Sequence, residues 1–429
     1  MFDKRIVNGK VYLDNEFKSV NLYIDGDTIT SINEGLFLAK DSLNAKGNLI
    51  LPGLFDPHVH FDLDLGNIRS KDDFYHGTKQ AAFGGITTII DFLEPVDNPK
   101  DLQRVYNTRL IEAEDSVVDY FFHATIKNPQ CDLEDFVKQM KELNIHSLKL
   151  FTTYSDSNRR TYDKDIIELL KLSEKYKFLL LAHIENDDLI DLNPKYTYRD
   201  LLKSRPTEAE TKEALKLASY VKKFGGYLYM VHLSSGDTLI KLKEKYSDIL
   251  NKRFFIESCP HYFTFTDNCL ELDEGNLYTL APPLRTVGEK DSLIENFKDI
   301  YTIGTDHCAF MKEDKQTKLL KDIPLGIGGI EFSFDVLFQL FGKEVIPKMS
   351  KHISGLYPNL SKHGKIKTGN LANLFIYEIQ DNIIKNHHGF TDCTIYKFLK
   401  RKGKVIHTIN RGEYIIKFGD FIKPNGKKI

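Results

Sequence analysis

The sequence predicts an α/β protein, a (β/α)8 TIM barrel that carries a small β-sandwich domain formed from both chain ends. Two observations predict it. Eight short apolar runs alternate with helical patterns through the middle of the chain, and both ends alternate in polarity and are rich in turns. Continuous apolar strands separated by helices are typical of a parallel sheet covered on both faces. Eight such units over about 300 residues fit a closed barrel.

The eight apolar runs are the predicted barrel strands. An open, doubly wound sheet is the alternative, and its nucleotide-binding form has a Gly-x-Gly-x-x-Gly turn after an early strand. No such turn follows any early run here, which favours the barrel. The runs are Leu49–Phe55, Ile86–Leu93, Val117–Ile126, Ser147–Thr152, Phe178–His183, Tyr227–Leu233, Phe254–Ser258 and Tyr301–Thr305.

Helical patterns lie between these runs. An apolar stripe follows Asp163, which is a candidate N-cap. A long helix is predicted to begin at Pro206 and to end at Gly225-Gly226, because proline suits a helix start and glycine a helix end. Gly84-Gly85 is expected to end the first crossover helix. Another stripe is formed by Leu133, Phe136, Val137 and Met140.

The two chain ends are predicted to form antiparallel hairpins. Turns are expected at Asn8-Gly9 and Asp25-Gly26 near the start, and at Arg411-Gly412 and Phe418-Gly419 near the end. Two β pieces that bracket a barrel are most economically paired with each other. The predicted domains are therefore a β-sandwich from residues 1–51 plus 364–429, and a barrel from residues 52–363.

Composition excludes several classes of protein. Of the 429 residues, 41% are hydrophobic and 28% are charged, which argues against a disordered, collagen-like or coiled-coil chain. The 59 basic and 61 acidic residues leave a net charge of −2, so no nucleic-acid partner is expected. The five cysteines are scattered, and neither a signal peptide nor a membrane span is recognisable. We therefore expect a cytoplasmic protein with reduced thiols and no membrane partner.

Histidines at strand ends predict a metal site. His58 and His60 are two apart in extended backbone, so both imidazoles can reach one ion. His183, His232 and Asp306 close three later runs. Active sites of such barrels lie at the carboxyl ends of the strands, where these side chains would meet. Any one of them alone would more often be an ordinary polar group, but the set indicates a metal centre.

The motifs around these residues resemble those of the cyclic amidohydrolases, a superfamily of binuclear-metal hydrolases. DPHVH and TDHCAF carry this resemblance together with the strand-end histidines. Within the superfamily, the chain is most similar to dihydropyrimidinases and hydantoinases. Seven further segments resemble that group in the same order: DDFYHGTKQAAFGGITTIIDFLEP, SLKLFTTY, AHIENDDLI, SRPTEAE, ESCPHYF, APPLR and IPLGIGGIE.

The resemblance implies two divalent ions and a role for a lysine that the residues alone do not suggest. In this family the matching lysine is carboxylated by CO₂, and the resulting carbamate bridges the two ions. Zinc is the expected metal, since it suits imidazole and carboxylate ligands. The implied ligand set is His58, His60 and Asp306 for one ion, His183 and His232 for the other, and Lys149 as the bridge.

The resemblance also implies a reaction. A metal-bound hydroxide would attack the amide carbonyl of a dihydropyrimidine or hydantoin ring and open it to an N-carbamoyl amino acid. Asp306 would shuttle the proton to the leaving ring nitrogen. Tyr154 matches a family tyrosine that donates a hydrogen bond to the tetrahedral oxyanion.

The expected substrate contacts depart from the family pattern. Ala281 stands where hydantoinases have a serine that binds the ring amide through its backbone, and Leu325 stands where asparagine is common. Dihydroorotases carry an arginine for the substrate carboxylate at the position of Asp62, so a carboxylate should be repelled here. The metal ligands match the family more fully than the substrate contacts do.

Two alternatives to this function stay open. One keeps the metal hydrolase and changes the substrate to allantoin or dihydroorotate, because ESCPHYF resembles the matching segment of those enzymes. The other is a non-catalytic dihydropyrimidinase-like scaffold, since a fold does not fix a function. The filled ligand positions favour an enzyme over the scaffold. The resemblance further implies a homo-oligomer, either a tetramer or a dimer.

Overall fold

The N-terminal segment forms seven strands divided between two sheets. The structure is a computed structural model that describes residues 1–429. The first four-stranded sheet has the order β5-β4-β1-β6, and β2, β3 and β7 belong to a second sheet. The strands are β1 (Phe2–Val7), β2 (Lys10–Leu13), β3 (Glu16–Lys18), β4 (Asn21–Asp25), β5 (Thr28–Asn33), β6 (Ala39–Asn44) and β7 (Leu49–Pro52).

Eight parallel strands follow and form the barrel. Each pairs with the next along the chain, so the strand order in the sheet follows the chain from β8 to β15. The ends of this sheet meet where the His60 N–H donates to the His307 carbonyl, at 2.9 Å. The strands are β8 (Leu54–Val59), β9 (Ile86–Phe92), β10 (Asp119–Thr125), β11 (Ser147–Phe151), β12 (Leu179–His183), β13 (Leu228–Leu233), β14 (Phe254–Ser258) and β15 (Thr302–Ile303).

Twelve α-helices pack mainly around the barrel, and none is both long and apolar enough to cross a membrane. The helices are α1 (Phe74–Phe83), α2 (Pro99–Glu112), α3 (Leu133–Glu142), α4 (Asp163–Tyr176), α5 (Leu201–Ser204), α6 (Thr207–Phe224), α7 (Gly236–Tyr246), α8 (Pro260–Thr264), α9 (Val287–Glu295), α10 (Ser333–Phe341), α11 (Val345–Lys348) and α12 (Lys351–Ser354).

Most of the predicted helix signals are confirmed. The helix α6 starts after Pro206 and ends at Gly225, whose φ of 79° favours glycine. Gly84 caps α1 as expected. The prediction for Asp163 is wrong, because the N-cap of α4 is Tyr162 and Asp163 lies in the first turn. There its carboxylate accepts a hydrogen bond from Lys216 of α6 and stabilises the contact between the two helices.

The C-terminal segment completes the second sheet. It adds β16 (Leu374–Ile383), β17 (Lys400–Asn410), β18 (Glu413–Lys417) and β19 (Asp420–Phe421), and the sheet has the order β19-β18-β17-β16-β7-β2-β3. The chain ends meet where β7 pairs antiparallel with β16. Buried residues from both ends, including Ile6, Ile50, Leu374 and Ile409, share one core. The predicted fold class is thereby confirmed, while the boundaries 1–51, 52–363 and 364–429 stay a prediction.

Two details of the strand predictions are wrong. The run Leu49–Phe55 is not one barrel strand, because it divides at Gly53 into β7 of the sandwich and β8 of the barrel. A Cβ at Gly53 would lie 2.3 Å from Thr87 Oγ1, so only glycine fits at this point. Asn8-Gly9 is not a hairpin either, since β1 and β2 lie in different sheets and this turn passes the chain between them.

Candidate metal centre and catalytic cavity

One cavity at the carboxyl ends of the barrel strands brings together every site residue predicted from the sequence. Its volume is about 130 Å³. Below it the barrel interior is filled by apolar side chains such as Ile90, Leu181 and Val231, which leave room only at this end. The predicted residues that line the cavity are His58, His60, Lys149, Tyr154, His183, His232, Ala281, Asp306 and Leu325.

His58, His60 and Asp306 form the tightest cluster in the cavity. His58 Nε2 lies 3.2 Å from His60 Nε2, and Asp306 Oδ1 lies 3.1 Å from the first and 3.0 Å from the second. Ligand atoms around a tetrahedral Zn²⁺ with bonds of about 2.0–2.1 Å are about 3.3 Å apart. These three donors therefore fit one ion of that size.

The charges around this cluster also favour a cation. Burial opposes protonation of His58, but the neighbouring carboxylates of Asp306 and Glu257 outweigh it and raise the pKa of His58 to about 9. Burial likewise opposes ionisation of Asp306, yet His58 and His60 hold the pKa of Asp306 well below its usual range. An anionic carboxylate buried among imidazoles is a site that attracts positive charge.

A second group of donors lies beside the first. The ring centroids of His183 and His232 are 4.6 Å apart, and that of His232 is 5.4 Å from His58. His183 Nε2 contacts Glu185 Oε2 at 2.7 Å, so Nδ1 is the nitrogen of His183 left for a metal. Glu185 also forms a buried ion pair with Arg205, which keeps the carboxylate in place.

Lys149 lines the same cavity as the two groups and is buried. Its ammonium is 5.1 Å from the Phe92 ring and 5.5 Å from the Phe151 ring, and it forms no ion pair. Burial lowers the pKa of Lys149 to about 8. A buried amine without an anionic partner is costly to keep charged, so this lysine has an enlarged fraction of nucleophilic free base.

Three of the site residues have a left-handed backbone that non-glycine residues seldom adopt. The φ angles are 70° for Tyr154, 42° for His232 and 52° for Asp306. Such conformations cost on the order of 1–3 kcal/mol each and persist where the surroundings over-determine them. The fold thus holds strained backbone at three points of one cavity.

Glu257 is a positioning residue that the sequence analysis missed. Its Oε1 lies 2.8 Å from His58 Nδ1 and accepts a hydrogen bond from the His232 N–H at 3.0 Å. Its Oε2 accepts one from Tyr229 Oη at 2.7 Å. Glu257 therefore turns Nε2 of His58 toward the cavity. A glutamate inside the apolar strand FFIES is the signal that would have identified it.

Replacing Glu257 with glutamine is expected to weaken metal binding about 10- to 100-fold, because His58 loses the carboxylate that orients it and raises its basicity. Equilibrium titration with a competing zinc chelator measures this change. Glu210→Gln is the matched control, since Glu210 is also buried but bonds Ser234. Equal metal affinity in Glu257→Gln and wild type would contradict the role.

The remaining wall of the cavity defines where a substrate would lie. Ala281 and Leu325 both face it, as predicted. Asp62 does not, because its carboxylate is paired with Arg69 at 2.9 Å outside the cavity. The structure thus gives no support to the predicted repulsion of a substrate carboxylate. Arg159, which the sequence analysis did not single out, is half-buried in this wall and forms no ion pair.

Comparison with known proteins agrees with this architecture. The model of the amidohydrolase family matches residues 49–415. The chain is 30% identical to a D-hydantoinase of Geobacillus stearothermophilus, over 99% of this chain and 95% of that protein. It is 28% identical to a D-phenylhydantoinase of Escherichia coli O9:H4, over 98% and 96% of the two chains.

Solved structures give the same result. The crystal structure of a dihydropyrimidinase from Brevibacillus agri superposes with a TM-score of 0.93 at 25% identity, covering 99% of this chain and 98% of that one. A D-hydantoinase structure superposes with a TM-score of 0.92 at 27% identity and the same coverage. The resemblance inferred from sequence motifs, and with it the expectation of a hydrolase, is confirmed: this chain belongs to the amidohydrolase family.

Proposed function

We propose that this protein is a binuclear zinc hydrolase that opens cyclic amide or imide rings, 5,6-dihydropyrimidines or hydantoins, to N-carbamoyl amino acids. The observation that carries the proposal is the convergence of four histidines, a buried lysine, an aspartate and Tyr154 on one cavity. Relatives named as hydantoinases and a dihydropyrimidinase support the substrate class.

The donor set is proposed to hold two divalent ions. His58, His60 and Asp306 would hold one ion, and His183 with His232 would hold the other. When bound, such ions supply a nucleophile at neutral pH and polarise the amide carbonyl. Imidazole and carboxylate ligands at tetrahedral spacing favour zinc over magnesium or calcium, which prefer oxygen ligands alone.

Lys149 is proposed to bridge the two ions after carboxylation. Its free amine would add to CO₂, forming a C–N bond and releasing one proton, and the product is an anionic carbamate. The support is its burial in the cavity that also holds both donor groups, its lowered pKa and its lack of an ion pair. The carbamate would replace a costly buried ammonium with an anion that the cations stabilise.

Asp306 is proposed to transfer the proton, and Tyr154 is proposed to stabilise the oxyanion. Asp306 accepts the proton of the attacking water and returns it to the ring nitrogen as the C–N bond breaks. The hydroxyl of Tyr154 donates a hydrogen bond to the carbonyl oxygen while that oxygen gains charge. Burial raises the pKa of Tyr154 to about 12, so this hydroxyl stays protonated and able to donate at neutral pH.

Replacing Tyr154 with phenylalanine is expected to lower kcat about 100-fold with a small change in KM, because the hydrogen bond forms mainly in the transition state. Steady-state ring-opening assays give both constants. Tyr220→Phe removes a hydroxyl that bonds Asp163 on the surface and serves as the control. A Tyr154→Phe enzyme with wild-type kcat would exclude the proposed donor.

A substrate panel combined with metal analysis tests the proposed function. Dihydrouracil, dihydrothymine, hydantoin, allantoin and dihydroorotate are compared in a ring-opening assay on purified holoenzyme. We expect turnover of the first three and two zinc ions per chain. Fewer than about one tightly held ion per chain, with no turnover of any ring, would favour the non-catalytic scaffold instead. Light scattering on the same sample tests the predicted homo-oligomer.

A second candidate function is favoured by Arg159, an unpaired cation in the cavity wall. A guanidinium there suits a ring that carries a carboxylate, such as dihydroorotate. If that ring is a substrate, Arg159→Met should lower kcat/KM for dihydroorotate about 10- to 100-fold and leave dihydrouracil unchanged. Arg199→Met, which removes an exposed surface arginine, is the control. Equal losses on both rings would exclude this role.

A further inference from the structure

A basic groove lies on the far side of the barrel from the catalytic cavity. It consists of two neighbouring cavities of about 600 and 310 Å³, and both are lined by Tyr12, Asn15 and Lys351. Its floor contacts the amino ends of two barrel strands. The Phe55 N–H of β8 donates to the carbonyl of Met349, and the His352 ring bonds the carbonyl of Tyr301, just before β15.

Lysines from separate parts of the sequence come together in this groove. Two carboxylates, Asp14 and Glu344, line it beside six lysines, and none of the six forms an ion pair. The chain as a whole has a net charge of −2, so this excess is local. The lysines are Lys298, Lys343, Lys348, Lys351, Lys365 and Lys367.

Two of these lysines are held in place by neutral groups. Lys348 is 5% exposed, and its ammonium donates to the carbonyls of Ile300 and Lys298. Lys351 donates to Asn15 Oδ1 at 2.8 Å. Both ammonium groups are thus held in place, and neither is in direct contact with a carboxylate. Like charges confined in a concave, low-dielectric surface repel one another and attract a multivalent counter-ion.

We propose that the basic groove is a binding site for a small phosphorylated anion. The two volumes lie within the range of small-molecule sites. The chain as a whole has a net charge of −2, which does not favour a nucleic-acid partner. Tyr12 and His352 add aromatic rings to the lining beside the lysines, which suits a ligand with an organic part as well as phosphate.

This site is independent of the ring-opening reaction. It lies at the amino ends of β8 and β15, whereas the candidate metal ligands lie at the carboxyl ends. An anion bound there would bridge the sandwich strand β2, which supplies Tyr12, and the barrel helix α12, which supplies Lys351. Its binding would stabilise the folded protein whether or not the catalytic proposal holds.

Isothermal titration of the holoenzyme tests the proposal. The titrants are inorganic phosphate, pyrophosphate and ADP, the last two as magnesium complexes so that they do not remove bound zinc, and metal content is measured afterwards. We expect saturable binding of pyrophosphate at 0.1 M salt that weakens as salt increases. Similar affinities for pyrophosphate and ADP would indicate a phosphate site, and tighter binding of ADP would indicate a nucleotide site.

Two double variants test whether pyrophosphate binds in the basic groove. Lys351→Gln with Lys367→Gln should weaken pyrophosphate binding at least about tenfold, since two charged contacts are lost. Lys171→Gln with Lys241→Gln makes the same charge change on exposed surface elsewhere and should bind like wild type. Absence of saturable binding in wild type, or equal binding by the groove variant and wild type, would overturn the proposal. If a second copy of the chain covers the groove, wild type should show no saturable binding, and the proposal would be overturned.

Discussion

An Asp306→Asn enzyme is expected to turn over its ring substrate about 10³-fold more slowly than wild type. Asparagine keeps the size of the side chain and one oxygen, but it cannot accept the proton of the attacking water or deliver it to the leaving nitrogen. Asp306 Oδ1 lies 3.1 Å from His58 Nε2 and 3.0 Å from His60 Nε2, so the change also weakens one proposed metal ligand. Single-turnover kinetics on protein of measured metal content isolate the chemical step.

The control for this experiment is Asp64→Asn. Asp64 lies in the same cavity wall but is paired with Arg69 and is not in the histidine cluster. The Asp64→Asn enzyme should keep nearly full activity. An Asp306→Asn protein that still holds its metal and turns over at the wild-type rate would refute the proton shuttle, and the ligand set could then stand without it.

Replacing Lys149 with methionine is expected to remove the proposed bridge between the two ions. Methionine fills a similar volume but cannot form a carbamate, so the second ion should be lost and kcat should fall about 10³-fold or more. Metal analysis of the purified variant should give about one ion per chain in place of two. Mass spectrometry under native conditions should show the CO₂ adduct in wild type alone.

Lys315→Met separates this effect from the removal of a buried lysine. Lys315 is also enclosed, and burial lowers its pKa to about 7, but its ammonium bonds Thr279 outside the catalytic cavity. The Lys315→Met substitution should lower the free energy of unfolding without changing the number of metal ions bound per chain. Two ions and full activity in Lys149→Met would contradict the bridging role.

Local patterns in the sequence account for most of the fold and of the candidate metal site. Strand-end histidines could be recognised because a parallel barrel collects the ends of all its strands at one place. Residues that act through others could not be recognised in this way. Glu257 contacts His58 across 199 positions of sequence, and no local pattern links the two.

The wrong prediction for the run Leu49–Phe55 and the failure to predict the basic groove have a similar cause. Leu49–Phe55 is one apolar run, yet the pairing partners of β7 and β8 lie in different sheets, and only tertiary structure divides them at Gly53. The basic groove was not expected, because its lysines are spread from position 298 to 367 and no segment among them is strongly basic. Near-neutral net charge says nothing about where charge gathers once the chain folds.

The pairing of β7 with β16 has a consequence for synthesis of the chain. About 320 residues separate Pro52 from its partner Leu374, and a ribosome adding about 5–20 residues per second needs roughly 16–64 seconds to cover that distance. During this time the first seven strands have emerged without the partner that covers the edge of β7. Exposed strand edges pair readily with other chains. We therefore expect the edge of β7 to be open to pairing with other chains until the two ends of the protein meet.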